Sequence, residues 1–179
     1  MPQPITVRRA PNMGGYERGT RGILRVGALA LPCALGRGGV RALKLEGDGA
    51  TPIGRHHVMR AIIRGDRMRM PPPARLRTSR VRPRDGWCDA PGHASYNRPV
   101  RLPCRASAES LWRADQLYDV VVVLDYNVTT RSRGRGSAIF WHIARQGFAP
   151  TEGCIAVRPS DMRLVLPLLK RGRPLDVIG

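Results

Sequence analysis

The sequence predicts a mainly β domain with one or two short helices. Short runs of β-branched and aliphatic residues recur along the chain, and 20 glycines and 16 prolines in 179 residues punctuate them. Few stretches carry a helical period. A chain of this length buries a real core as one domain, and a hydrophobic share of 42% excludes a fully disordered chain. No apolar run reaches the length of a membrane span.

Taken in order, residues 1–22 hold prolines, glycines and charges without an apolar h-region, so they read as a loosely ordered N-terminal segment and not as a secretory signal. The folded domain is expected over 23–179. Residues 23–31 and 40–46 read as two strands joined by the turn "GRGG". "EGDGATPIGRHHVMRAIIR" (46–64) is a glycine-rich turn leading into a β-branched run, and it holds no phosphate-cradling P-loop. Residues 68–86 break the composition: Pro71 to Pro73 favour a stiff polyproline II segment, either a surface loop or a wall bordering a site.

"SAESLWRADQLY" (107–118) reads as a short amphipathic helix or turn. "DVVVVLDYN" (119–127) is a strand covered on both faces. "RSRGRGS" (131–137) is a basic glycine loop joining it to the strand "SAIFWHI" (137–143), and "GCIAV" (153–157) begins another strand. "PSDMRLVLPLLKRG" (159–172) is a helix with Ser160 as N-cap, a kink at Pro167 and a stop at Gly172; "PLDVI" closes the chain as a strand.

The formal net charge is +18, from 31 basic and 13 acidic residues. Such a field attracts polyanions, whether nucleic acid, anionic lipid or a carboxylate-rich polymer. Only nine aromatic residues are present and no readout motif appears, which argues against a specific nucleic-acid reader. The four cysteines make no C-x-x-C pair. Cys88, His93 and Cys104 with His56 or His57 match no zinc spacing, so no metal is called for; a Cys88–Cys104 disulfide or two thiols is the ordinary reading.

One stretch carries chemistry. "FWHIARQGFAPTEGCIAV" (140–157) sets His142 near a strand end and Cys154 after a tight turn with Pro150 and Gly153. A thiol becomes a good nucleophile only as thiolate, and a neighbouring imidazole can take its proton. Gly153 is expected to let a substrate carbonyl approach the amides of Gly153 and Cys154, which would stabilise an oxyanion. Spacing alone favours the ordinary reading, in which a lone cysteine and a lone histidine are packed core residues, and leaves the dyad open.

The stretch resembles the L,D-transpeptidase catalytic domain family, the YkuD domain, in which an upstream histidine precedes a Ser/Thr-x-Gly-Cys element; here these are His142 and Thr151-Glu152-Gly153-Cys154. "CALGRGG" (33–39), "EGDGATPIG" (46–54), "DGWCDAP" (85–91), "YNRPV" (96–100) and "GSAIFWH" (136–142) extend the resemblance along nearly the whole chain. It implies a β-sandwich or barrel catalytic domain, with Cys154 as nucleophile, His142 as general base and the Ile143 carbonyl orienting the imidazole.

The implied reaction is acyl transfer between donor and acceptor peptidoglycan stem peptides, without cofactor, by a monomer in the bacterial periplasm. Its products would be 3,3 or 1,3 cross-links to diaminopimelate, or exchange of a terminal residue. Tyr126, Asn127, Thr151, Arg158 and Arg55 are candidate substrate contacts, and Arg133 and Arg135 are further basic candidates. The chain departs from the family where Glu152 replaces a common histidine and Ala156 a frequent arginine, which bears on donor recognition. Two rivals remain: a cysteine-dependent L,D-carboxypeptidase or amidase, and an arginine-rich nucleic-acid-binding module.

Overall fold

The computed structural model describes residues 3–11, 19–68 and 75–179. It is built from strands β1 (Ile5–Arg9), β2 (Arg21–Val26), β3 (Leu29–Ala34), β4 (Val40–Arg41), β5 (Thr51–Pro52), β6 (Gly54–Ile63) and β7 (Thr78–Arg80). There follow β8 (Asp85–Cys88), β9 (Arg98–Arg101), β10 (Ala108–Ser110), β11 (Val120–Leu124), β12 (Phe140–Ile143) and β13 (Ile155–Val157). Helix α1 (Pro159–Val165) and β14 (Pro174–Ile178) complete the chain. The mainly β class expected from sequence is what the chain adopts.

The main sheet runs β11-β12-β13-β3-β2-β1-β14-β6-β7, and a further pairing of β11 with β6 closes it into a barrel-like circuit. Ten-residue β6 makes this closure possible. Its first half pairs with β14, and its second half pairs with β11 on one edge and β7 on the other. The valine run of β11 is buried throughout because the strand lies between β12 and β6. Val120, Val122 and Leu124 enter an aliphatic core with Leu24, Ile155 and Leu175. Val121 and Val123 point the other way, to Trp87, Tyr118 and Phe140. A small sheet, β10-β8-β9, supplies that second layer.

Four expectations need correction. The N-terminal segment is not loose throughout: β1 sits inside the sheet between β2 and β14, with Ile5 and Val7 fully buried, because the alternation of "ITVRR" fits a half-buried strand. The hairpin turns earlier than "GRGG". It joins β2 to β3 across Gly27, whose φ of +60° suits a two-residue turn, and residues 40–41 pair instead with 51–52.

Residues 107–118 form no helix. Ala108–Ser110 pair with Gly86–Cys88, and Trp112 is held beneath the Arg64 guanidinium, 3.5 Å from its ring centre. In α1 the cap is Arg158, with no side-chain cap bond, and Pro159 takes the first helical position, where its fixed φ and missing N–H cost nothing. Pro167 then tightens the end into a 3-10 turn, Leu166–Leu168. Pro71–Pro73 lie outside the described residues, while Leu76 and Val81 anchor the rest of that segment in the two cores.

Candidate active site

The turn that carries Cys154 is clamped from below. Thr151 N–H donates to Leu35 O at 2.9 Å, and Arg37 N–H donates to Thr151 O at 2.8 Å. The two glycine loops "LGRGG" and "EGDGA" press against each other there: a Cβ on Gly36 would stand 2.1 Å from Gly49 O. Gly153 has φ +124°, and its Cβ would stand 2.6 Å from Ala50 O. Glycine is thus demanded by the protein's own backbone, a different reason from the substrate approach expected from sequence. Gly153 N–H donates within the turn to Thr151 Oγ1 at 3.2 Å, and the Thr151 hydroxyl donates to Cys154 O at 2.6 Å.

Parallel pairing of β12 and β13 aligns His142 with Ala156 and Trp141 with Ile155. One step further back Cys154 comes beside Phe140, whose N–H points at Sγ from 3.3 Å. His142 and Cys154 are therefore diagonal neighbours on one face. The thiol donates to Ala138 O at 3.2 Å. Asn97 fixes that carbonyl's residue, its Oδ1 accepting from Ala138 N–H at 3.0 Å and from Trp87 Nε1–H at 2.8 Å. His142 Nδ1 lies 2.8 Å from Ile143 O. A carbonyl only accepts, so Nδ1 carries the hydrogen and Nε2 is left as the acceptor nitrogen. The Tyr118 ring meets the imidazole edge to face at 5.2 Å.

Burial sets the protonation of both groups. It pushes the Cys154 thiol up to about 12, with the negative charge of Glu109 adding to the effect and the Phe140 N–H opposing it. It pushes His142 down to about 4, against the Ile143 hydrogen bond and with help from Arg113 and Arg145. The resting pair is neutral thiol and neutral imidazole, not a preformed ion pair.

Both side chains line a cleft of about 520 Å³, together with Thr151 and Glu152. The other expected contacts are elsewhere. Arg55 is held by Asp176 at 2.8 and 2.9 Å. Tyr126 donates its hydroxyl to Arg135 O at 2.6 Å. Asn127 folds the basic loop, donating to Ser132 O at 3.0 Å and Gly136 O at 2.8 Å. Arg158 lies over Phe148 at the start of α1. None of these four lines the cleft, nor does any described residue of 68–86. The four cysteines are free thiols, so Cys88 and Cys104 form no disulfide.

Sequence reasoning missed Glu109, Arg113 and Tyr118, which form the wall over His142. Tyr118 donates its hydroxyl to Glu109 Oε1 at 2.6 Å, and Arg113 stands 3.9 Å from the same carboxylate. The helical reading of 107–118 hid them, because Glu109 and Arg113 at i,i+4 look like an exposed helix pair. The alternation in "ASAES" was the signal for a strand.

A closed β circuit with a cysteine and a histidine on adjacent strand ends defines a class of β domains built around a buried thiol–imidazole cleft. Residues 5–177 match the L,D-transpeptidase catalytic domain, YkuD, and the chain belongs to that family. No curated protein matches it. Among solved structures it is similar to Mycobacterium tuberculosis L,D-transpeptidase 1, with 14% identity over 98% of this chain and 62% of that one and a TM-score of 0.39. It is also similar to an L,D-transpeptidase from Mycobacterium smegmatis, with 11% identity over 98% and 59% and a TM-score of 0.44. The chain spans about three fifths of the length of these proteins.

Proposed function

We propose that the protein is an L,D-transpeptidase that moves peptidyl groups between peptidoglycan stem peptides through a thioester on Cys154. The observation that carries this reading is the placement of Cys154 and His142 on one face of β12–β13, where both line the same cleft. Family membership supplies the substrate class.

Because the resting pair is neutral, the proton leaves sulfur only as the bond to carbon forms. The thiol turns from Ala138 O toward His142 Nε2, and Sγ attacks the peptide carbonyl. The Ile143 carbonyl keeps the imidazole in the tautomer that can accept. The Phe140 N–H stays directed at sulfur, and the Cys154 amide is the oxyanion donor. The Gly153 amide, engaged by Thr151 Oγ1, holds the turn. Collapse breaks the C–N bond, and the leaving amine takes the proton from His142. An acceptor amine then attacks the thioester, and the sulfur is reprotonated.

The catalytic unit includes β1 and acts as a monomer outside the cytoplasm, where stem peptides are. No helix among the described residues is long and apolar enough to cross a membrane. Of the expected substrate contacts, Thr151 keeps that role, at the cleft beside Cys154.

The test is mass spectrometry of products from disaccharide-tetrapeptide and -pentapeptide muropeptides, with Cys154→Ala and His142→Ala in parallel. Cross-linked or exchanged products from the wild type alone are expected, and fragmentation distinguishes 3,3 from 1,3 bonds. Trimmed monomers without transfer would make the protein a hydrolase. Unchanged substrate would overturn the reading.

A further inference from the structure

In a chain where bases outnumber acids 31 to 13, four carboxylates line this one cleft: Glu46, Asp89, Glu109 and Glu152. Three have a partner: Glu152 pairs with Arg37 at 2.7 Å, Glu46 accepts from the Tyr96 hydroxyl, and Glu109 accepts from the Tyr118 hydroxyl at 2.6 Å. Asp89 is the least compensated, and Glu109 is its neighbour. The pairing of β10 with β8 sets Glu109 opposite Trp87, and Asp89 N–H bonds Ser107 O at 3.2 Å, so the two carboxylates are diagonal neighbours across the strands. Like charges so placed repel.

Their compensation is thin. Arg113 spends its guanidinium on Asp115, at 2.8 and 2.7 Å, and reaches Glu109 only at 3.9 Å. Asp89 Oδ1 is a buried oxygen with no hydrogen-bond partner. The Ser137 hydroxyl is in the same position: the residue lines the cleft, is 7% exposed, and its Oγ has no partner. Buried acceptors without donors cost free energy unless a ligand supplies the donors. A primary ammonium has three N–H donors and a positive charge, which fits these groups.

We propose that Glu109, Asp89 and Ser137 form the site that recognises the ammonium group of the amine acceptor; this rests on the transferase reading above. The step balances without further reactants. The acceptor arrives as R–NH₃⁺ and gives one proton to Glu109, which releases it to water. The amine attacks the thioester carbon, the C–N bond forms and the C–S bond breaks. The second proton passes through His142 to the departing Cys154 sulfur. Burial and the neighbouring Asp89 hold the Glu109 carboxyl above its ordinary range, the direction needed to take that proton.

The test compares two nucleophiles on one muropeptide donor at neutral pH: glycinamide, mostly ammonium, and hydroxylamine, uncharged. Glu109→Gln keeps an acceptor for Tyr118, and Asp89→Asn keeps the shape, so both are expected to fold; circular dichroism checks this. In each variant the ratio of glycinamide to hydroxylamine transfer should fall about tenfold or more, the scale of a lost charged hydrogen bond. A ratio equal to that of the wild type overturns the proposal, whatever the absolute rates. Should the wild type form no thioester, the transferase reading fails separately. Nuclear magnetic resonance titration of Cys154→Ala with glycinamide then decides the subsite: binding weakened about tenfold by Glu109→Gln supports it, and binding that is absent or unaffected overturns it.

Discussion

The two faces of β11 solve different problems with the same valine run. On one, Val120, Val122 and Leu124 meet an aliphatic core completed by Met162 and Val165 of α1. On the other, Val121 and Val123 meet Trp87, Tyr118 and Phe140, and that layer runs out into the cleft at Cys154. The first face is filled by apolar side chains, with the Trp141 indole Nε1 as a buried polar atom that has no partner. The second adds polar groups at its rim, and each of them needs a partner or a ligand. Stability and chemistry are divided by one strand's thickness.

That division is sharpest in a pair of truncations. Cys154→Ala should lower transfer by about 10⁴-fold or more, the cost of removing a nucleophile, with the melting temperature nearly unchanged. Leu24→Ala, on the fully buried aliphatic side, should cost about 2–5 kcal/mol in denaturant unfolding while the folded enzyme keeps its kcat. The division fails if Leu24→Ala lowers kcat of the folded enzyme as far.

The polar face should also carry a pH signature. Unfolded, His142 titrates near its ordinary value of about 6.5; folded, it titrates at about 4. Between these values only the unfolded chain takes up the proton, so stability falls as pH drops through that window and levels below it. The contribution is about 3 kcal/mol. His56, lowered by burial, acts with the same sign, while Glu109, raised, acts with the opposite one. Urea melts from pH 7 to 4 should show a shallower fall for His142→Gln than for the wild type.

Gly153→Ala tests the boundary between the two functions. Its Cβ meets Ala50 O at 2.6 Å in a left-handed backbone. A strain of about 1–3 kcal/mol is expected in the melt, and a shift of Cys154 should lower transfer about 10²-fold. The smallest effect belongs to the Arg37–Glu152 pair, whose side chains are 54% and 75% exposed. Arg37→Ala should change stability by less than about 1 kcal/mol by thermal melt. A larger loss would show that the clamp under Thr151 depends on the ion pair and not on its backbone bonds.

Local patterns made much of this legible. The valine run, "FWHI", "PLDVI" and the short C-terminal helix are elements whose neighbours in sequence already state their burial. The pairing of β1 with β14, residues from opposite ends of the chain, has no local trace, and so the first strand read as loose. At the site, His142 and Cys154 stood out because few residue types do such chemistry and they lie twelve apart. Glu109 and Asp89 did not, since an acidic residue in a strand looks solvated until a second sheet covers it. Arg55 and Arg158 erred the other way: their charge was visible, but the partners that hold them away from the cleft, Asp176 and the Phe148 ring, were not.

The segment between β12 and β13, residues 144–154, crosses from one parallel strand to its neighbour, with both ends tied to the frame. Ala144 N–H bonds Val157 O at 2.7 Å, and Thr151 is pinned to Leu35 and Arg37. Histidine and cysteine therefore keep their relation whatever length of chain spans the gap. Doubling a loop adds only about 0.6 kcal/mol of closure entropy. The exposed residues 145–147 are thus a place where insertions can remodel the mouth of the cleft, and with it the choice of peptide, without disturbing the reacting atoms.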